Sequence, residues 1–190
     1  MIDSEELDIY QIGDYSVQLY IDSTYIKNSV DNKHHYDCVY CDGTYENSTK
    51  IGIKTYQNQI QLRSAIIGAD GGGTGLHPHS IIIEKDRIVV CCADSVFCLS
   101  VPDLSLQWCT RADSATCFEI YSYHDSYIIH GEMEISRIDR NGKILWSQGG
   151  SDIFTTHQGI DDFTITDDYI RAVDWNLLEH RFDFDGNRFD

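Results

Sequence analysis

The sequence predicts an all-β fold made of blade-like antiparallel repeats of about 40 residues. Three observations predict it. Apolar and polar residues alternate with a period of two along most of the chain, as at Val17, Leu19 and Ile21. A strand, a tight turn and a second strand recur in step through the second half. The composition also suits pleated, half-buried surfaces, with 12 Tyr, 7 Phe and many Ile and Val against only 2 Pro. The weak exception is residues 1–7, the only stretch that could be read as helical.

Taken in order, residues 1–78 read as an irregular N-terminal β region, with alternation at Val17, Leu19 and Ile21, at Ile51 and Ile53, and at Ile60 and Leu62; 15–30 and 35–62 read either as degenerate copies of the repeat or as a sheet capping the array. Three repeats follow over 79–190. The first has strands at 80–84, 88–92 and 96–101, a Pro102-Asp103 turn, and a strand closing on Trp108. The second has strands at 117–123 and 127–138, then Asp139-Arg140-Asn141-Gly142 and a strand closing on Trp146. Asn-Gly is the turn pair that tolerates positive φ and matches strand twist. The third has strands at 163–166, 169–175 and 180–184, then Asp185-Gly186-Asn187 and Arg188-Phe189. A turn Asp opens the second strand each time, at Asp86, Asp125 and Asp168. No single unit buries both its faces, so stacked units would share one continuous core. At 190 residues the expectation is a single domain, 1–190.

The stretch Ile138-Asp139-Arg140-Asn141-Gly142-Lys143-Ile144-Leu145-Trp146 resembles the blade motif of quinoprotein-type β-propellers, and 71–154 is similar to uncharacterised bacterial proteins that carry such blades. The resemblance implies a small or incomplete β-propeller, with a curled β-sandwich as the alternative. It implies no cofactor.

Charge narrows the partners. Thirty-one acidic residues against 14 basic give a net charge of −17. That field repels nucleic-acid backbones and anionic membranes and attracts a basic protein or a cation. The 7 Cys are odd in number and irregular in spacing, and the acidic start Met1-Ile2-Asp3-Ser4-Glu5-Glu6 has neither a basic nor an apolar leader region. The expectation is a cytoplasmic protein whose cysteines are small buried hydrophobes.

Four groups invite chemistry. The run 68–75, with Gly71-Gly72-Gly73, ends in Leu76-His77-Pro78-His79 and lacks the Gly-Lys-Ser/Thr of a phosphate loop, so it reads as a contact loop. His77 and His79, with Asp70 or His130, could hold a transition metal, but no third ligand is fixed by spacing, and polar loop histidines are the expected reading. Cys38-Val39-Tyr40-Cys41, preceded by His34 and His35, has the spacing of half a zinc site or of a redox pair, but no second pair follows and it runs into an Asp42-Gly43 turn rather than a helix. His130, Glu132 and Glu134 would share one face of a continuous strand, as a cation or acid–base set or as a solvated face.

An acidic residue recurs at Asp94, Glu132 and Asp174, which equivalent repeats would bring to one rim. No catalytic signature is present, so the expected function is a non-enzymatic module that binds a basic protein. Its most concrete form is an immunity protein plugging the active site of a basic bacterial toxin. The expected contact residues are Asp94, Glu132, Glu134, Asp174, Asp161 and Asp162. The alternatives are a metal-dependent hydrolase or sugar-active enzyme, and a structural subunit of a larger β assembly.

Overall fold

The computed structural model describes residues 8–41, 47–157 and 162–189. The described chain is all-β, without helix, in four small sheets none of which closes on itself. The weak helix candidate at 1–7, the Asp42-Gly43 turn and Asp161 lie outside the described residues. Among the described residues no helix is long and apolar enough to cross a membrane.

The first sheet holds β1 (Asp8–Ile12), β2 (Tyr15–Ile21), β3 (Cys38–Tyr40), β4 (Thr49–Gln57) and β5 (Ile60–Ala69), in the order β1-β2-β4-β5-β3. All its pairs are antiparallel except β3 with β5. Three four-stranded meanders follow. The second sheet is β6 (Ile81–Ile83), β7 (Arg87–Cys92), β8 (Ser95–Ser100) and β9 (Leu106–Arg111). The third is β10 (Cys117–Tyr123), β11 (Ser126–Gly131), β12 (Glu134–Asp139) and β13 (Ile144–Gly149). The fourth is β14 (Phe163–Ile165), β15 (Ile170–Val173), β16 (Glu179–Phe182) and β17 (Arg188–Phe189).

The sheets stack in chain order. Even-numbered residues of β7 (Ile88, Val90, Cys92) pack toward Leu19, Ile53 and Ile67 of the first sheet. Odd-numbered ones (Val89, Cys91) pack toward Ile120, Tyr127 and Ile129 of the third. Burial on both faces explains why β7 is a continuous apolar run rather than an alternating one. The far face of the third sheet, through Ile128 and Ile135, packs on Ile170, Ala172 and Phe182 of the fourth. Each fully buried side chain of this kind contributes about 1.5–3 kcal/mol.

The two ends of the stack are finished differently. The outer face of the first sheet is covered by the segment 22–37, whose Tyr25 and Tyr36 pack on Ile66 and Cys41. Asp37 ties that segment down, its Oδ2 accepting from the Ser64 N–H of β5 at 2.8 Å. The fourth sheet carries Arg171, Glu179 and Arg181 among its solvent-side residues, with Glu179 bridging the two guanidiniums. A polar terminal face is what an end repeat needs if no further unit stacks on it.

Adjacent meanders interlock through the Trp and Gly that the repeat pattern shares. Trp108 Nε1 donates to the Arg140 carbonyl at 3.0 Å, and Trp146 Nε1 to the Phe184 carbonyl at 3.0 Å. A Cβ on Gly142 would lie 2.7 Å from Trp108, and one on Gly186 2.7 Å from Trp146. Both glycines also have positive φ, +82° and +84°. Each closing Trp therefore lies against the glycine turn of the next sheet.

Candidate interaction rim

In each meander the turn between its second and third strands lies at the same end as the segments that cross from sheet to sheet, because antiparallel strands reverse at alternate ends. Backbone bonds stitch these segments together. Asp94 N–H donates to the Asp70 carbonyl at 3.1 Å and Cys117 N–H to Ala93 at 2.7 Å. Glu132 N–H donates to Thr116 at 2.7 Å, Phe154 N–H to Glu132 at 2.7 Å and Trp175 N–H to Ile153 at 2.8 Å. This chain of turns forms a rim.

The expected carboxylates are on this rim, but they are not equally available. Asp94 is 7% exposed, its Oδ1 accepting from Ser95 Oγ at 2.7 Å and its Oδ2 paired with Arg111 Nε at 2.8 Å. Asp174 is fully buried, with Oδ2 2.9 Å from His180 Nε2 and Oδ1 accepting from the N–H groups of Asn176 and Leu178. Arg188 in turn donates to His180 Nδ1, which makes Nε2 the protonated nitrogen facing Asp174. Burial works to raise the Asp174 carboxyl, but the hydrogen bonds from His180, Leu178 and Ser151 outweigh it and hold it below its usual range. Asp94 and Asp174 therefore brace their turns and present no charge for direct contact.

Glu132, Glu134 and Asp162 are half-buried and closer to solvent. Glu132 Oε2 accepts from Thr116 Oγ1 at 2.6 Å, and Asp162 Oδ2 from Thr155 Oγ1 at 3.3 Å. Glu134 accepts from the Ser114 N–H at 2.9 Å. Burial, with the Asp113 carboxylate beside it, raises the Glu134 carboxyl above its usual value.

The shared face expected for His130, Glu132 and Glu134 is corrected by the register. Residues 127–138 are two strands, β11 and β12, with Glu132 and Met133 in the turn between them. His130 instead points between the third and fourth sheets, 3% exposed, its ring stacked on Phe163 at 4.4 Å. Its Nδ1 lies 2.9 Å from Glu119 Oε2 and its Nε2 2.8 Å from the Phe154 carbonyl, so both nitrogens are engaged. Burial works to raise the Glu119 carboxyl, but the bond to His130 and the imidazole's charge outweigh it and lower it.

His77 Nε2 lies 3.1 Å from the Phe118 carbonyl, and His79 stacks on Tyr121 at 5.1 Å. Among the described residues no group of three or more His, Cys, Asp or Glu is disposed to hold a metal. Cys38 packs in the core between the first and second sheets and Cys41 under the 22–37 segment, and neither forms a disulfide.

Gly71 and Gly72 of the glycine run have a packing explanation. A Cβ on Gly71 would lie 2.2 Å from the Ala115 carbonyl, and one on Gly72 2.0 Å from Thr116 Oγ1. Only glycine lets this crossing segment approach the next one so closely.

Sequence reasoning missed Asp113. It is 4% exposed, and its carboxylate accepts from the N–H groups of Ala115, Thr116, Met133 and Glu134 at 2.6–2.9 Å. It also missed the apolar side chains on the rim, Met133, Trp175, Leu177 and Leu178, which are 39%, 37%, 68% and 52% exposed. An Asp soon after the last strand recurs in the first three sheets (Asp70, Asp113, Asp152), which was the available signal for Asp113.

No family model matches the chain, and no curated protein matches it. Among solved structures it is similar to the AfRom2 CNH domain, with a TM-score of 0.50 and 12% identity over 100% of this chain and 68% of that one. It is also similar to the computationally designed Ika4 protein, with a TM-score of 0.47 and 11% identity over 64% of this chain and 79% of that one. Identities this low speak to fold alone.

Proposed function

We propose that this chain is a non-enzymatic module that binds a basic protein through the rim, and in its most concrete form an immunity protein that occludes the active site of a basic bacterial toxin. One observation carries the reading. The apolar side chains Met133, Trp175, Leu177 and Leu178 stand exposed on the hydrogen-bonded turns of the rim, which also carries the half-buried Glu132, Glu134 and Asp162, in a chain of net charge −17. An apolar centre with a charged border is the usual anatomy of a protein interface. The turns are already fixed by backbone bonds and by Asp113 and Asp174, so little ordering entropy opposes binding. The net charge would steer a basic partner on approach.

Affinity capture with the whole chain tests this, set beside Trp175→Ala and Glu132→Gln. The expected result is retention of a basic protein by the wild type, with binding reduced about tenfold or more by Trp175→Ala, as for an interface anchor. Capture of no basic protein, or equal capture by all three chains, overturns it. Co-expression with the captured protein tests the immunity form: protection from its toxicity is expected, and unrelieved toxicity removes that form.

A further inference from the structure

A buried histidine joins the third sheet to the fourth. His130 of β11 stands directly opposite Glu119 of β10, at a bulge between Cys117 and Glu119. Cross-strand partners share a face, which sets the two side chains together. The His130 ring, 3% exposed, lies flat on Phe163 of β14, with ring centres 4.4 Å and planes 7° apart. Its Nδ1 is 2.9 Å from Glu119 Oε2. Its Nε2 is 2.8 Å from the carbonyl of Phe154, in the segment that crosses to the fourth sheet.

A neutral imidazole has one donor nitrogen and one acceptor nitrogen. Here both nitrogens face acceptor oxygens. A neutral ring would leave one of those oxygens against a lone pair, and a buried polar group without a partner is costly. The site therefore needs one proton more than a neutral ring and an ionised carboxylate hold between them. Burial works against the ionised form of Glu119, but the bond from His130 and the charge of its ring outweigh it. The proton thus sits on the ring, where the face of Phe163 also favours a cation.

The surrounding groups do not supply that proton. Burial and Glu119 push the Tyr121 phenol up, so it stays neutral. His79 stacks on Tyr121 and acts on Glu119 through its charge, and Asp162, just before β14, acts on Tyr121. Beyond Phe154 lies His180, which makes the opposite demand: Arg188 donates to its Nδ1 and its Nε2 faces Asp174, so it is held neutral. That demand is felt as pH falls, whereas the demand at His130 is felt as pH rises.

We propose that His130 is a proton-operated latch: its imidazolium holds the fourth sheet against the third, and loss of the proton loosens the fourth sheet. The docked sheets need the proton and separated sheets do not. The contribution of the latch is therefore complete below the ordinary histidine value, about 6.5, and is lost as pH rises past it. The segment it holds also carries part of the rim, because Trp175 N–H donates to the Ile153 carbonyl at 2.8 Å.

The ¹⁵N-labelled full chain tests this through its histidine ring spectra and its amide exchange, corrected for intrinsic exchange. At about pH 6 both ring nitrogens of His130 are expected to carry protons. Protection of the β14 and β15 amides should fall about tenfold or more between about pH 6.5 and 8.5, while that of β7 and β8 holds. In Glu119→Gln the new amide donates to Nδ1 of a neutral ring whose Nε2–H still serves Phe154. That variant should show a single ring N–H and lose the alkaline dependence. A neutral His130 ring at about pH 6, fourth-sheet protection that tracks the second sheet throughout, or an unchanged dependence in Glu119→Gln overturns the latch. If Glu119→Gln does not fold, the ring spectrum and exchange of the wild type still decide.

Discussion

At the level of single residues, the rim carboxylates divide into braces and surface groups. Asp113 and Asp174 accept from several backbone N–H groups of their turns and so fix the turn geometry. A lowered carboxyl, as at Asp174 and Glu119, adds stability above its unfolded value, and that stability is lost as pH falls through the lower folded value. Glu134 runs the other way. Its folded value is raised, so its ionised form costs stability at neutral pH, and the cost disappears once pH drops below the unfolded value of about 4.3. Glu134→Gln keeps an oxygen for the Ser114 N–H and should stabilise the protein at pH 7 by about 0.5 kcal/mol, roughly 1–2 °C. That advantage should fade in melts recorded toward pH 4. A variant less stable than the wild type at pH 7 would show that Glu134 acts as a brace like Asp113.

At the level of elements, the repeat rests on the lock between each closing Trp and the glycine turn of the following sheet. Gly142→Ala would place a methyl group against Trp108 and force a residue with positive φ, costing about 2 kcal/mol or more. The checks are the thermal midpoint and the Trp fluorescence, and an unchanged midpoint would mean that the lock contributes little. Much of this level could be read from the sequence. The Asn-Gly and Asp-Gly turns, the turn Asp before each second strand and the spacing of Trp108 and Trp146 all fall where the meanders place them. The break at Glu132–Met133 did not show, because His130-Gly131-Glu132-Met133-Glu134 continues the alternation and has no strong turn pair. The first sheet was harder still. Its β3 pairs in parallel with β5 across a long separation, which no local pattern encodes. The candidate site was legible only as recurrent acidity. Whether a given carboxylate braces a turn or faces solvent depends on which N–H groups the next sheet brings to it, and spacing does not carry that.

At the level of the whole molecule, four sheets in series give an open stack with a covered face at one end and a charged face at the other. In the proposed binding, the net charge of −17 is the steering field for a basic partner. The most direct test is the rate at which the captured protein associates with the whole chain, measured across ionic strength. The expected rate falls steeply, by about tenfold or more between 50 and 500 mM salt, while Trp175→Ala acts mainly on dissociation. An association rate that ignores salt, or a partner that is acidic, would contradict it.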